Sequence, residues 1–153
     1  MHKTIGLISD THGLLREEAV EALKGSDIII HAGDIGKEGI IESLQEIAPV
    51  YAIRGNVDKG EWAQRYPETE VVEFEGRFLY VLHDVNDLDL DPAAADFQVV
   101  LSGHSHKPKE HYQEGVLYIN PGSAGRRRFS LPISLAKLHL KESGIEVEWI
   151  YLG

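Results

Sequence analysis

With 153 residues, 42% of them hydrophobic, the chain is long enough for one domain (1–153) that buries roughly two-thirds of its unfolded surface. It has no cysteine, which rules out a disulfide framework and thiolate-held metal and agrees with a reducing, cytoplasmic setting. A net charge of −10 disfavours nucleic-acid polymers and anionic membranes as partners, and neither a signal peptide nor a run of about 20 apolar residues is found.

In chain order, "TIGLIS" (4–9) is a short apolar strand that ends in the polar "DTHG". "LLREEAVEALKG" (14–25) puts Leu15, Ala19, Ala22 and Leu23 on one helical face and stops at Gly25. "DIIIHAGD" (27–34) is a second strand, "EGIIESLQEIAP" (38–49) a second amphipathic helix, and "VYAIRGNVD" (50–58) a third strand. This alternation predicts a parallel sheet with right-handed crossovers, and unbroken apolar strands predict that both its faces are covered. The second half reads as strands: the hairpin "TEVVEFEG"/"RFLYVLHD" (69–84), then "DFQVVLSGH", "GVLYINPGS", and a last hairpin turning at Ser143–Gly144. One α/β domain is expected, a mostly parallel half joined to a more antiparallel half.

Polar residues collect where the strands end. Asp10 and His12 follow the first strand, Asp34 the second, Asn56 the third, His83 the fifth, and His104 with His106 the sixth. In open α/β sheets ligand sites lie beyond the carboxyl ends of the strands, so seven potential ligands converge on one edge. If the strand ends stay extended, Asp10 with His12, and His104 with His106, each project to one side. Mixed imidazole, carboxylate and amide donors suit Mn²⁺, Fe²⁺ or Zn²⁺. Seven exceed the usual three protein ligands of a catalytic zinc but suit two ions sharing a carboxylate, with Asp34 the natural bridge. Two metals about 3.5–4 Å apart are a recurrent apparatus for attack at phosphorus.

Taken in order, "DTHG", "GD", "GNVD", His83, "GHSH" and "NPGS" resemble the calcineurin-like metallophosphoesterase superfamily, and within it the small bacterial and archaeal phosphodiesterases. The resemblance runs from Ile5 to about Ser123. It implies a four-layer α/β/β/α sandwich of two mixed sheets. It implies one divalent metal on Asp10, His12, Asp34 and His106, and a second on Asp34, Asn56, His83 and His104. Mn²⁺ is the first expectation, with Fe²⁺, Zn²⁺ or Ni²⁺ as alternatives. A hydroxide shared by the ions would attack the phosphorus, with His12, Asn56 and Asp34 in the catalytic group and Asn56 with Arg127 holding substrate. Two departures stand out. Val57 occupies a position where many relatives carry a histidine, a candidate acid for the leaving oxygen, and Asp34-Ile35-Gly36-Lys37-Glu38 lacks the frequent Asp-Arg pair. Both favour substrates with a stable leaving group, such as aryl phosphodiesters, or proton transfer through water.

Plainer readings exist for several of these residues. Asp10 and Asp34 also suit helix caps, Asp58 orients a ligand or is an exposed loop carboxylate, and "NPGS" offers amides to phosphate or is simply a turn. Arg126-Arg127-Arg128, the one basic run, is a solvated loop or a guanidinium grip on phosphate. His2, His31, His111 and His139 read as structural or surface. "DLDLD" (87–91) imitates an EF-hand start, but Pro92 stands where the loop needs glycine. Ser102 and Ser105 beside His104 lack a nucleophile elbow. The expected substrate is a small phosphodiester, with a phosphomonoester, a nucleotide binder without turnover, or a non-catalytic scaffold as the alternatives; self-association is left open.

Overall fold

The structure is a computed structural model and describes residues 2–152. Its strands are β1 (Lys3–Ile8), β2 (Ile28–His31), β3 (Val50–Ala52), β4 (Thr69–Phe74), β5 (Arg77–Leu82), β6 (Val99–Leu101), β7 (Lys109–Gln113), β8 (Val116–Asn120), β9 (Ser134–Lys141) and β10 (Gly144–Tyr151). Its helices are α1 (Glu17–Leu23) and α2 (Glu38–Gln45), with 3₁₀ turns at Glu61–Arg65 and Val85–Asp87. The first sheet has the order β10-β9-β1-β2-β3 and the second β4-β5-β6-β8-β7.

Both sheets are mixed, as expected, but the halves of the chain do not map onto them. The three N-terminal strands pair in parallel, and β9 and β10 return from the far end of the chain to complete that sheet antiparallel. In the second sheet the centre is parallel, β5 with β6 and β6 with β8, and only the edge pairs are antiparallel.

The apolar runs of β1 and β2 serve two faces at once. Ile5, Leu7, Ile28 and Ile30 enter the core between the sheets with Leu79, Val81, Leu101 and Leu117. Ile8 and Ile29 point the other way, under Leu23, Ile40, Ile41 and Leu44 of the two helices. Period-two side-chain alternation makes this division automatic once both faces are covered. Helix α1 starts at Glu17 rather than Leu14, because Arg16 is extended and its Nε donates to Gly125 O at 3.0 Å. The outer face of the second sheet is covered by the 3₁₀ turn and the following loop, with Leu88 and Ala93 packed on Leu82, Val100 and Val116. The fourth layer is therefore thin. No helix among the described residues is long and apolar enough to cross a membrane.

Candidate metal centre

The site is built on corners rather than on straight strand ends. Asp10, His12, Asp34, His104 and His106 all have positive φ, between 46° and 71°. Among residues with a Cβ, Asp, Asn and His tolerate this left-handed region best, at about 1 kcal/mol each. The extended geometry expected from the spacing does not hold. Each loop curls at its ligands, so His104 and His106 point into different groups instead of gripping from one face.

Backbone bonds lock the loops to one another. The amides of Asp10, His12 and Gly13 donate to the carbonyls of Gly33, Asp34 and Ile35 at 3.0, 2.9 and 2.8 Å. That approach needs Gly36, at φ +97°, since a Cβ there would run into the backbone of His12 and Gly13. Asp58 supplies the third tie. It is a buried carboxylate, not an exposed one, and it accepts the amides of Ile35, Gly36 and Gly55 at 2.9 Å each. One side chain thus fastens the loop after β2 to the loop after β3.

The ligand atoms meet in two groups, Asp10–His12–His106 and Asp34–His83–His104, each compact enough to hold a metal ion. Each carboxylate uses one oxygen for the frame and presents the other. Asp10 Oδ2 accepts the Ser9 hydroxyl at 2.8 Å and the His104 amide at 3.1 Å. Its Oδ1 lies 3.5 Å from His106 Nε2 and 3.8 Å from the Nε2 atoms of His12 and His83. Asp34 Oδ1 accepts the Val57 amide at 3.1 Å, while Oδ2 lies 3.5 Å from His12 Nε2 and 3.0 Å from His83 Nε2. Asp34 therefore stands between the two groups. His83 Nδ1 donates to Ala32 O at 2.8 Å, which leaves Nε2 facing the site.

Three buried atoms here have no hydrogen-bond partner, Asp10 Oδ1, His12 Nε2 and His106 Nδ1, and His83 Nε2 meets only the Asp34 carboxylate, 3.0 Å away. Leaving one buried polar group unsatisfied costs about 1–3 kcal/mol, and three in one pocket call for a ligand that accepts lone pairs. A divalent cation is such a ligand, and the donor chemistry fits it.

Without a cation the pocket redistributes its protons. Burial pushes the Asp10 carboxyl up to about 7, against the pull of His83. For Asp34 burial is outweighed by the hydrogen bond and charge of His83, and the carboxyl falls to about 2. His83 rises to about 9: burial opposes this, but Asp34, the Ala32 carbonyl and Asp10 favour its charged form. Burial and then the Arg128 charge lower His106 to about 4. His83 is thus the imidazole of the site pushed upward, and His106 the one pushed downward.

The remaining expected residues fall as follows. Asn56 is exposed and lines a cavity of about 250 Å³ with Gly55, His83 and Asp84. Arg126, Arg127 and Arg128 line another of about 250 Å³ with His12 and His106, and Arg127 Nη1 reaches Leu131 O at 3.4 Å. "NPGS" braces the fold: Asn120 Nδ2 donates to Gly103 O at 2.8 Å, and Ser123 Oγ to Asp10 O at 3.1 Å. His31 is buried and structural, and His139 pairs with Glu148 at 2.7 Å. Asp84 opens the acidic loop (84–96) whose role the sequence leaves open; its Oδ2 lies 3.7 Å from His104 Nε2, and its position directly after His83 is the local signal.

Comparison with known proteins identifies the family and the fold. The family model described as the calcineurin-like phosphoesterase superfamily domain matches residues 4–143. A probable metallophosphoesterase of Methanocaldococcus jannaschii is 33% identical, over 90% of this chain and 76% of its own. A phosphodiesterase of the same archaeon is 28% identical, over 77% and 82%. Among solved structures, a predicted phosphoesterase of Streptococcus pneumoniae superposes with a TM-score of 0.78 at 25% identity, covering 99% of this chain and 90% of that one. Vacuolar protein sorting 29 of Cryptosporidium parvum superposes at 0.77 with 19% identity, over 99% and 98% of the two chains, a likeness of fold alone.

Proposed function

The chain belongs to the calcineurin-like phosphoesterase superfamily, and on that premise we propose that it is a dinuclear metal-dependent phosphodiesterase. The observation that carries this reading is the set of three buried, unpartnered ligand atoms, on Asp10, His12 and His106, beside the Asp34–His83 pair. Asp10, His12, Asp34 and His106 would hold one divalent cation, and Asp34, Asn56, His83 and His104 the other, with Mn²⁺ the first candidate. When bound, the two cations supply charge neutralisation at the phosphoryl oxygens and water acidified toward neutral pH.

The chain's own side chains do the rest. Asp34 divides its carboxylate, Oδ1 anchored by the Val57 amide and Oδ2 turned to both groups, so that it sets the separation of the two halves. His83 is oriented by the Ala32 carbonyl, and Asp10 by Ser9 and the His104 amide. His12 and Asn56 would position the phosphoryl group, and Arg127 would hold a non-bridging oxygen at the rim. Val57 offers no proton to a departing oxygen, which favours diesters whose leaving group is stable as an anion. The phosphodiesterase of M. jannaschii among the relatives supports the same choice of substrate.

The test is direct. Chelator-stripped protein should lose hydrolysis of bis(p-nitrophenyl) phosphate and regain it with Mn²⁺. Activity that survives exhaustive chelation would overturn the reading. Anomalous scattering at the metal edge should find two ions, at the two ligand groups.

A further inference from the structure

Two of the cavities around the centre differ in charge, and a third differs in kind. The one beside Asn56 is lined by Glu68, Asp84 and Asp87, with Arg54 paired to Glu68 at 3.2 Å. The one beside His12 and His106 is lined by three arginines. The third, of about 290 Å³, opens beside His104 and is walled by Lys107, Lys109, His111 and Tyr118. His111 and Tyr118 sit directly opposite each other on β7 and β8, their rings stacked at 5.0 Å and 12°.

We propose that this third cavity is the subsite for a planar aromatic arm of the phosphodiester, an aryl ring or a nucleobase, stacked against the His111–Tyr118 pair. The inference rests on the phosphodiesterase reading above and adds to it what the enzyme selects.

Three observations converge on it. First, the centre is open on this side: of its four imidazoles His104 is the most accessible, its side chain 42% exposed against 26% for His12, 7% for His83 and 5% for His106. Second, every residue of β7 is exposed, so the strand buries little apolar surface of its own while it carries one ring of the pair into the cavity wall. Third, Lys107 and Lys109 face a single carboxylate, Asp84, in that wall, a net positive lining on a chain whose net charge is −10 and one suited to an anionic diester. Two rings held parallel on paired strands form a pre-ordered flat surface, on which a third ring loses little freedom in docking.

The experiment is equilibrium binding of three diesters to the Mn²⁺-loaded protein: diphenyl phosphate, the methyl ester of adenosine 5′-monophosphate, and diethyl phosphate. At least one aromatic diester should bind at least about fivefold tighter than diethyl phosphate, in keeping with base–aromatic stacking energies. Which of the two is preferred identifies the ring as aryl or nucleobase. His111→Ala, on the exposed strand, should abolish most of that preference and leave diethyl phosphate affinity unmoved; Tyr118→Leu should do the same. Equal binding of all three diesters, or a preference that survives both substitutions, overturns the subsite. Ring preference without turnover of any diester would fail the phosphodiesterase reading and leave the subsite standing; turnover without ring preference would do the reverse.

Discussion

His31 is held by Thr11 in a single protonation state. The Thr11 hydroxyl donates to Ile35 O at 2.8 Å, so at 2.9 Å from His31 Nε2 it accepts the imidazole proton. His31 Nδ1 in turn accepts the Gly33 amide at 3.1 Å. A second proton would face that amide. Burial, followed by the charges of His83 and His12, lowers the group to about 3.

This fixes the sign of a pH effect. Unfolded His31 gains its proton near 6.5 and folded His31 only near 3, so in that window the unfolded state carries more protons and stability is lost as pH falls. His106, lowered to about 4, acts in the same direction, while Asp10, raised to about 7, opposes both. Comparison with His31→Gln isolates the His31 share. Between about pH 6 and 4, the metal-free wild type should lose up to about 1.4 kcal/mol more per pH unit than the variant. Denaturant midpoints across that range measure it, and parallel slopes would contradict the assignment.

Asp58→Asn should damage the fold more than the chemistry. An amide offers one acceptor and one donor group to a pocket of three backbone amides, so at least one N–H meets an N–H. The loss should be about 2–4 kcal/mol in chemical unfolding. Asp34→Asn should do the opposite, lowering activity at least about a hundredfold and reducing metal stoichiometry while costing less stability than Asp58→Asn. Both variants should be assayed where each is fully folded. If activity falls equally in both, Asp34 is not the shared ligand.

Metal uptake should expel a proton. With its group at about 9, His83 is an imidazolium near neutral pH, yet a ligand needs a lone pair at Nε2. At about pH 8, where Asp10 is already ionised, calorimetry of Mn²⁺ binding in buffers of differing ionisation enthalpy should report roughly one proton released. Heats independent of buffer would count against His83 as a ligand.

The same binding should stiffen the protein. A cation at a hundred times its dissociation constant contributes about 2.7 kcal/mol per site, and it satisfies donor atoms that otherwise have no partner. Chelation should therefore lower the midpoint of thermal unfolding. His106→Ala should reduce the metal-dependent part of that midpoint and leave the chelated protein nearly unchanged. An equal fall with and without metal would mean that His106 acts by packing alone.

Much of the architecture was legible, because buried strands announce themselves by composition: Ile28–Ile30 has one reading only. The candidate ligand residues stand where apolar runs stop, and the structure brings six of the seven into two groups that could hold a metal ion. What stayed hidden had no local signature. Strand β7, "KEHYQ", is exposed throughout and owes its conformation to pairing with β8. Asp58 read equally as an orienting group or an exposed loop carboxylate, and its role as a tie was hidden because its three amide donors come from residues 3 to 23 positions away. The division of His104 from His106 depended on backbone signs at both positions, which no two-residue spacing reveals.

The left-handed corners narrow the alphabet open to descendants of this gene. Asp, Asn and His share two aptitudes, coordinating cations and enduring positive φ, so exchange among them at positions 10, 12, 34, 104 and 106 disturbs the main chain little. Thr or Val, branched at Cβ, would have to reshape the bend as well. Substitution at these corners is therefore channelled toward other side chains that carry a donor atom rather than toward apolar ones.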